Sequence, residues 1–415
     1  MENIIEIPNE DKKWVKYLQN KLENENLTER EKAYISRIIR VYNMPDLSKQ
    51  EWNPVEMIIS KIVNSEYYRD FTKLKIPEIV WEYETFDLFN FEMDHVARRP
   101  SDSYFINKNS ENTKESMLLR PHTSVMWYHY LVKWWWFEKL DKDWEIKILS
   151  WWKTYRVDEL DKTHHECFHQ IDGLRIVEKS KEIINQDTLK DVLVNTIKSI
   201  FWMEVPHKFH EDFFPYTQES LEVEIEYNWR KIEVLWSWVV HPNVLESLWI
   251  DSEKYNWWAF GFGIERLAML LKDIPDIRIF WSQDPRVLEQ WWNFNPYNEV
   301  SNLPPVYKDI SFIVDKKLFE KDIKESEKSW EIELLNEADS FDIAWIVRNI
   351  AWDLIEEVRV VDIYENDKLF WEDKKSVTIN ITFRSLERSL THDEINKLYF
   401  DIRDAITNEL WYQLR

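Results

Sequence analysis

The sequence predicts an α+β protein that ends in a small ferredoxin-like domain. Three observations support this prediction. Strand-like and helical segments are mixed through a long central region, 51–290. A segment rich in proline and polar residues, 295–309, separates that region from the C-terminus. Beyond it, strand and helix patterns follow one another in the order β-α-β-β-α-β, which is the split βαβ arrangement.

The composition is that of a globular protein with room for two or three domains. Of the 415 residues, 32% are charged and 44% are hydrophobic, and the formal net charge is −23. No apolar segment approaches the ~18 residues that a membrane helix needs. The first residues show neither a signal-peptide core nor an Arg-rich transit pattern. A single cysteine, Cys167, excludes an internal disulfide, and we therefore expect a cytoplasmic protein.

The first fifty residues, 1–50, are highly charged. Within them Trp14, Leu18 and Leu22 recur at four-residue intervals, which predicts a helix. We expect this helix to run from about residue 10 to residue 42 and to form a solvated extension.

The C-terminal domain, 309–415, follows a linker at 295–308. Val377 and Ile379 belong to a segment in which apolar and polar residues alternate, the period of a half-buried strand. The THDE sequence that begins at Thr391 has the spacing of a capping box and predicts a helix start. The expected elements are a strand at 309–315, a helix at 341–354, strands at 357–365 and 375–385, a helix after residue 391, and a short edge strand at the C-terminus.

The glycine and tryptophan counts are abnormal. The chain has 3 Gly and 25 Trp, whereas the usual ~7% would give about 29 Gly. A fold of this size needs glycine at turns, helix ends and close backbone contacts. We therefore hypothesise that most tryptophans stand where glycine belongs, as happens when a gene whose UGA codons mean glycine is translated with UGA as tryptophan. The alternative, a Trp-rich surface, leaves the missing glycines unexplained.

One segment, 153–179, carries residues suited to a phosphate and carboxylate site. Arg156 follows a short strand and can bind a phosphate bidentately, and Phe168 can stack on a purine. Gln170 and Asp172 lie two residues apart on one strand face, where they can hold an ammonium group. A surface ion pair for Arg156 and core packing for Phe168 are the alternatives.

A second segment, 259–271, leads from a strand into a helix through Gly261 and Gly263. Glycines at such a junction let the backbone approach a ligand closely. Arg266 lies in the first turn of the helix and can reach a second phosphate.

Three histidines, His164, His165 and His169, suggest a metal site as another interpretation. Three imidazoles need a fourth ligand and supporting hydrogen bonds, and Cys167 does not give the spacing of a Cys/His zinc site. We therefore favour the phosphate and carboxylate interpretation.

Together and in this order, the two segments resemble motifs 2 and 3 of the class II aminoacyl-tRNA synthetases. The central region is similar to the phenylalanyl-tRNA synthetases, and the last domain resembles the ferredoxin-fold anticodon-binding domain of their single-chain, organellar-type form. The matching segments are 88–106, 118–126, 155–174, 213–217, 232–251, 258–269 and 280–288. The resemblance implies a catalytic domain at 51–294 built on an antiparallel sheet flanked by helices, rather than a Rossmann sheet, and it suggests a monomer.

The resemblance also implies the activity, which is the ATP-dependent attachment of phenylalanine to tRNA(Phe) through a phenylalanyl-adenylate, with Mg²⁺. The implied catalytic residues are Arg156 and Arg266. ATP would contact Arg156, His164, Phe168, Gly261, Gly263 and Arg266. Phenylalanine would contact His122, Ser124, Gln170, Asp172, Phe214, Tyr216 and Ala259. Glu222 or Glu224 would help to hold Mg²⁺.

Two residues depart from the family pattern. Asp172 stands where Glu is usual and Tyr216 stands where Phe is usual, so a class II enzyme with a changed amino-acid choice is an alternative. A non-catalytic tRNA-binding paralogue is a third possibility, but such a protein need not retain both Arg156 and Arg266. The net charge of −23 is unusual for a tRNA partner and argues only against loose, non-specific binding.

The same comparison places glycine in the family at many of the tryptophan positions. These positions are 152, 236, 238, 249, 257, 345, 352, 371 and 411. Trp258 and Trp281, by contrast, stand where the organellar-type enzymes tolerate Trp.

Overall fold

The computed structural model describes residues 4–24, 26–132, 140, 142–158, 160–201, 205–212, 217–227, 230–315, 342–351, 354–365, 373–410 and 412–415. The chain divides into two compact units, Met1–Tyr297 and Asn298–Arg415. Both units combine helices with largely antiparallel sheets, which confirms the expected α+β class.

The first unit is built on an eight-stranded sheet. Its strands and those of a smaller sheet are β1 (Ile4–Glu6), β2 (Thr72–Lys75), β3 (Ile79–Trp81), β4 (Phe105–Asn107), β5 (Met117–Leu119), β6 (Glu145–Tyr155), β7 (Cys167–Glu178), β8 (His207–Asp212), β9 (Thr217–Tyr227), β10 (Arg230–Val240) and β11 (Tyr255–Gly263). The large sheet has the order β1-β2-β6-β7-β11-β10-β9-β8, and the small one has the order β3-β5-β4. Strands β1, β2 and β6 pair in parallel, and every pair from β6 onward is antiparallel.

Helices cover this sheet. They are α1 (Asp11–Asn24), α2 (Glu29–Tyr42), α3 (Pro54–Val63), α4 (Glu82–Thr85), α5 (Met126–Leu131), α6 (Gln186–Phe201), α7 (Pro242–Ser247), α8 (Ile264–Lys272) and α9 (Pro285–Leu288). Short 3₁₀ helices lie at Leu47–Lys49, Asp87–Phe89, Val96–Arg98, Thr113–Glu115, Thr123–Val125 and Ile277–Trp281. Within the described parts of the chain, no helix has the length and apolar character needed to span a membrane.

The first fifty residues differ from the expected single solvated helix. They contain two helices, α1 and α2, because Thr28 begins a new one with a complete capping box to Glu31. Leu18 of α1 and Ile38 of α2 are each 1% exposed and belong to the same apolar cluster as Tyr104. Strand β1 also joins the edge of the large sheet. The segment is therefore part of the first unit, because its apolar stripe is buried.

The second unit has the predicted element order. It contains β12 (Val306–Asp315), α10 (Asp342–Ala351), β13 (Ile355–Tyr364), β14 (Lys374–Phe383), α11 (His392–Glu409) and β15 (Gln413–Leu414). The sheet order is β13-β14-β12-β15, with all pairs antiparallel. Thr391 caps α11 by accepting a hydrogen bond from the backbone N–H of Glu394, as its sequence predicts. The ferredoxin-like arrangement is confirmed.

Three tryptophans adopt left-handed backbone conformations. The φ angles are 69° at Trp52, 51° at Trp144 and 61° at Trp249. A bulky residue with positive φ is a genuine outlier, and these are positions where glycine is normal. The other described non-glycine residues with positive φ are Asn90 and Asp273, which are types that tolerate this region.

Trp249 stands in a complete helix-end motif. It follows α7, and its backbone N–H bonds the Glu246 carbonyl at 2.9 Å while the N–H of Ile250 bonds the Leu245 carbonyl at 2.9 Å. This pair of bonds defines the Schellman motif, in which the residue at this position is usually glycine. The geometry therefore supports the hypothesis that tryptophan occupies a glycine position here.

Candidate active site

The central strands bring the predicted residues onto one face of the large sheet. Antiparallel register places Asp172 of β7 opposite Gly261 of β11, and Gln170 opposite Gly263. Phe168 lies on the same face, two residues before Gln170. Directly opposed residues share a face, so these five positions form one surface, which we call the front face.

Gly261 is required for the close packing of this face. A Cβ built on it would lie 2.8 Å from Oδ1 of Asp172, which real side chains do not tolerate. A Cβ on Gly263 would meet nothing within 4 Å, so the surface is open at that end of the strand. Of the two glycines at which the sequence predicted contact with a nucleotide, Gly263 therefore leaves space above the sheet, whereas Gly261 accommodates the Asp172 side chain.

The carboxylate of Asp172 is held by two hydroxyls from the 3₁₀ helix Thr123–Val125. Ser124 Oγ donates to Oδ1 at 2.7 Å, and Thr123 Oγ1 donates to Oδ2. Burial raises the pKa of Asp172 to about 6, against the lowering effect of both hydroxyls. Thr123 was missed in the sequence analysis, although it lies between two residues that were named.

Two buried polar atoms, one on the strand of Asp172 and one at the start of the same 3₁₀ helix, lack partners among the described residues. They are Oε1 of Gln170 and Nδ1 of His122. Nε2 of His122 lies 3.1 Å from the Thr85 carbonyl, and burial lowers the pKa of this histidine to about 4, so the ring is neutral at physiological pH. With its Nε2–H donated to that carbonyl, Nδ1 is an acceptor. An amide oxygen, an imidazole nitrogen and a carboxylate are the groups that a substrate ammonium requires.

Arg156 stacks on the aromatic ring that was predicted to hold a purine. Its guanidinium carbon lies 5.1 Å from the centre of the Phe168 ring, within cation–π range. The Nε–H donates to the Pro121 carbonyl at 3.2 Å. The arginine is exposed and Phe168 is half-buried, so the stacked pair borders solvent at the end of β6.

Arg266 lies where the sequence predicted, in the first turn of α8, and its side chain is exposed. His164 lies in the loop between β6 and β7. Its Nδ1 is 3.0 Å from Oδ2 of Asp161, and about half of its side chain is exposed. Neither residue is buried, so both remain accessible to a ligand that spans the loop and the helix start.

The front face continues across the two strands that follow β11. Ala259 is fully buried and lies opposite Trp238, while Trp236 lies opposite Gly261 on one side and Glu222 on the other. Glu222 and Glu224 are half-buried and alternate along β9. Four indoles thus stand on this face at positions where the resemblance places glycine, namely Trp236 and Trp238 of β10, Trp257 of β11 and Trp152 of β6.

The remaining predictions about the site concern rings and metals. Phe214 and Tyr216, which were predicted to contact the phenyl ring, lie outside the described residues. The alternative zinc site is not formed, because His164 is exposed in a loop whereas His169 is fully buried in β7. The described residues contain no group of three or more His, Cys, Asp or Glu side chains suited to a metal.

A second network, missed by the sequence analysis, lies behind the sheet. His169 contacts Glu265 of α8 and Asp46, which precedes the 3₁₀ helix Leu47–Lys49. These residues are separated by more than 90 positions in sequence. No local spacing could have connected them.

Comparison with known proteins identifies two families. Residues 41–291 match the model of the tRNA synthetases class II core domain (F), and residues 343–415 match that of the ferredoxin-fold anticodon binding domain. A chloroplastic/mitochondrial phenylalanine–tRNA ligase of Arabidopsis thaliana is 31% identical over 387 residues, which cover 89% of this chain and 80% of the relative.

Two further relatives extend this similarity. A mitochondrial phenylalanine–tRNA ligase of Dictyostelium discoideum is 29% identical, over 80% of this chain and 76% of its own length. The alpha subunit of a phenylalanine–tRNA ligase from Buchnera aphidicola is 38% identical, over 58% of this chain and 67% of its own length.

The expected cytoplasmic location is wrong. The relatives that match most of the chain are named as chloroplastic or mitochondrial enzymes, which points to an organelle. The expectation relied on a single cysteine and on the lack of an export signal. Neither feature distinguishes the cytoplasm from the interior of an organelle.

Proposed function

The chain belongs to the phenylalanine–tRNA ligase family of class II synthetases, and on this premise we propose that it attaches phenylalanine to tRNA in two steps. In the first, the carboxylate of phenylalanine attacks the α-phosphorus of ATP, an O–P bond forms, and pyrophosphate leaves. In the second, the terminal ribose 2′-hydroxyl of tRNA attacks the carbonyl of the adenylate, loses its proton, and releases AMP.

The observation that carries this proposal is the grouping of polar atoms around Asp172. A buried carboxylate fixed by two hydroxyls shares the front face with Gln170, whose Oε1 has no partner among the described residues, and His122 directly precedes the same 3₁₀ helix. Such a set suits the ammonium of an amino acid better than a neutral ligand. Ala259 lies on the same face, where it would limit the depth of a ring pocket for which the family resemblance also implies Phe214 and Tyr216.

The nucleotide end of the site is more open. Phe168 offers a face for adenine, and Arg156 would turn from it towards the α-phosphate and the amino-acid carboxylate. Arg266 would meet the γ-phosphate and cover the adenine, and His164 would meet the departing pyrophosphate. Positive side chains aimed at the phosphates stabilise the charge that develops as the α-phosphorus reacts, and no protein nucleophile is needed. The backbone at Gly263 leaves room for this ligand, whereas the Asp172 carboxylate fills the space above Gly261.

The residues present fit a magnesium ion that is held mainly by substrate. Mg²⁺ typically binds through one or two carboxylates together with substrate phosphates. Glu222 and Glu224 are half-buried on alternate positions of β9, and either would supply that carboxylate. When bound, the ion neutralises charge on the phosphates.

The domain assignment follows from the same premise. We propose that residues 51–294 carry the catalysis, that residues 295–308 form a linker, and that residues 309–415 bind the anticodon region of tRNA(Phe). The match of residues 343–415 to an anticodon-binding family supports the last assignment. The near full-length similarity to single-chain relatives supports a monomer.

ATP–pyrophosphate exchange with a panel of amino acids tests the proposal. We expect exchange that depends on phenylalanine and falls strongly with tyrosine, followed by charging of tRNA(Phe). Exchange with another amino acid would instead favour a changed specificity, which Asp172 suggests because it stands where Glu is usual in the family. The absence of exchange with any amino acid would refute the enzyme assignment and leave a tRNA-binding protein.

A further inference from the structure

His169 occupies an unusual position behind the active site. It lies on β7 between Phe168 and Gln170, but its side chain points to the opposite face and is fully buried. Lone buried histidines in a sheet usually make one or two neutral hydrogen bonds. This histidine instead lies between two carboxylates, from Glu265 on one side and Asp46 on the other.

The contact with Glu265 joins two elements that carry predicted catalytic residues. Pairing between β7 and β11 ends at Gln170 and Gly263, because α8 begins at Ile264. Beyond that point the side chain of Glu265 replaces the neighbouring strand as hydrogen-bond acceptor. Its carboxylate oxygens accept the backbone N–H of His169 at 2.8 and 2.9 Å. The same carboxylate lies 2.7 Å from Nδ1 of the ring. The side chain of Glu265 thus continues the sheet pairing into the helix.

The second carboxylate holds the other end of the ring. Oδ1 of Asp46 lies 3.2 Å from Nε2, and Oδ2 lies 2.6 Å from Nζ of Lys49. Asp46 also accepts the backbone N–H of Ser48 and so caps the 3₁₀ helix Leu47–Lys49. Both ring nitrogens of the histidine therefore contact a carboxylate. The positive charges of His169 and Lys49 balance the negative charges of Asp46 and Glu265.

We propose that His169 is a positioning residue for catalysis, which fixes the start of α8 to β7 through Glu265 and so holds Arg266 at the correct place relative to Phe168. This inference rests on the proposed function. Arg266 directly follows Glu265, so a shift of the carboxylate would move the guanidinium with it. Binding groups must be placed within a fraction of an ångström, because a displacement near 1 Å can cost about 100-fold in rate.

The charge of the ring agrees with this role. The two carboxylates raise the pKa of His169 to about 9 despite its burial. The two nearest titratable groups on this strand and on β6 do not compete for the ring. Lys153, opposite it on β6, directs Nζ to Glu78 at 3.2 Å, and burial raises the pKa of Cys167, which therefore remains a thiol. If the ring lost its Nε2 proton, Nε2 would instead accept the Leu47 N–H, 3.1 Å away, and its hydrogen bond to Asp46 would be lost.

Kinetics of ATP–pyrophosphate exchange on the full chain test the proposal. His169→Asn keeps a donor near the Nδ1 position but removes the charge and the link to Asp46. We expect KM for ATP to rise and kcat to fall, together by about 10- to 100-fold in kcat/KM, with KM for phenylalanine unchanged. Cys167→Ala is the matched control, because it alters a buried residue on the same strand and face while the hydrogen bonds of His169 to Glu265 are kept. This control should leave KM for ATP unchanged.

The pH profile separates positioning from a merely structural role. In the wild-type enzyme, KM for ATP should rise as the pH increases through about 9, the pKa of His169. The Asn variant should not show this rise. If His169→Asn does not fold, Glu265→Gln provides the same test, since the amide retains the shape but not the charge. Equal changes in both KM values, or no change in either, would overturn the proposal. Lack of exchange in the wild type would instead refute the proposed function.

Discussion

Replacement of Trp249 by glycine should stabilise the protein. This residue ends α7 with a φ of 61°, in the hydrogen-bonding pattern of a Schellman motif. Its side chain is 68% exposed, so little buried apolar area is lost when the indole is removed. The substitution therefore acts mainly on the backbone, and its sign follows from the conformational preferences of the residue at that one position.

The magnitude comes from two opposing terms. A residue with a Cβ in the left-handed region is disfavoured by roughly 1–2 kcal/mol, a cost that glycine avoids. Glycine loses more backbone entropy on folding, which costs about 0.5–1 kcal/mol. The balance favours Trp249→Gly by about 0.5–1 kcal/mol. Near the unfolding midpoint, this corresponds to a rise in Tm of roughly 1 °C for a unit of this size.

Scanning calorimetry of the full chain measures this difference, with two controls. Trp249→Ala removes the same ring but keeps the Cβ, so it should remain less stable than Trp249→Gly. Trp292→Gly alters another exposed tryptophan, 52% exposed, whose φ is not positive, and it should lower the Tm. If alanine at 249 stabilises as much as glycine, or if glycine at 292 stabilises as much as at 249, backbone strain is not the cause.

The same reasoning predicts the residues of the native protein. Trp52 is the third residue of a turn closed by the Asn53 N–H and Gln50 carbonyl, and Trp144 follows the helical residues 142–143 and donates its backbone N–H to the Leu140 carbonyl. Both have positive φ, so glycine is expected at 52, 144 and 249. Peptide mass spectrometry of protein from its own cells should show each of these sites about 129 Da lighter, by residue-mass arithmetic on a chain of ordinary glycine content. Tryptophan at all three sites would refute the codon hypothesis.

Four further predictions concern the site. Arg266→Ala should lower the rate of exchange by about 10²–10³-fold with the fold intact, as judged by circular dichroism; near wild-type activity would refute its role. Deletion of 301–415 should preserve phenylalanine-dependent exchange but abolish most tRNA charging, because the first unit is compact by itself. Ala259→Gly should admit para-chlorophenylalanine with a gain of about 10–200-fold, because it deepens an apolar pocket by one methyl; unchanged exclusion would mean that Ala259 does not line the pocket. KM for phenylalanine should rise as the pH falls below about 6, where Asp172 gains a proton and loses its attraction for the ammonium, and Asp172→Asn should remove this dependence.

Much of the fold was predictable because helices and strands leave characteristic spacings of apolar and capping residues in the local sequence. The alternation at Val377 and Ile379 gave β14, and the capping-box spacing at Thr391 gave the start of α11. The first fifty residues were misjudged for a physical reason. Their charge suggested a solvated helix, but the buried stripe that includes Leu18 and Ile38 packs against the first unit. Periodicity shows that a helix has an apolar face and does not show what covers it.

The site was predictable only where its residues are close in sequence. The front-face positions alternate along β7, so Gln170 and Asp172 could be grouped from spacing alone. The resemblance to a family was needed to join them to Arg266. The network of Asp46, His169 and Glu265 has no such signal, because sheet register and helix placement bring together side chains that are 96 and 123 positions apart.

The three written glycines sharpen the argument about tryptophan. A Cβ on Gly173 would lie 2.1 Å from Phe260, and one on Gly261 would lie 2.8 Å from Asp172, so close packing accounts for both. None of the described glycines has a positive φ, which is the other common use of this residue. In the described part of the chain, the residues with positive φ are Asn90, Asp273 and three tryptophans. Asn and Asp tolerate this backbone conformation, whereas the bulky tryptophan side chain does not. A protein that had evolved without glycine would place Asn or Asp at all such positions. The presence of the largest side chain there is instead what a change in the meaning of one codon would produce.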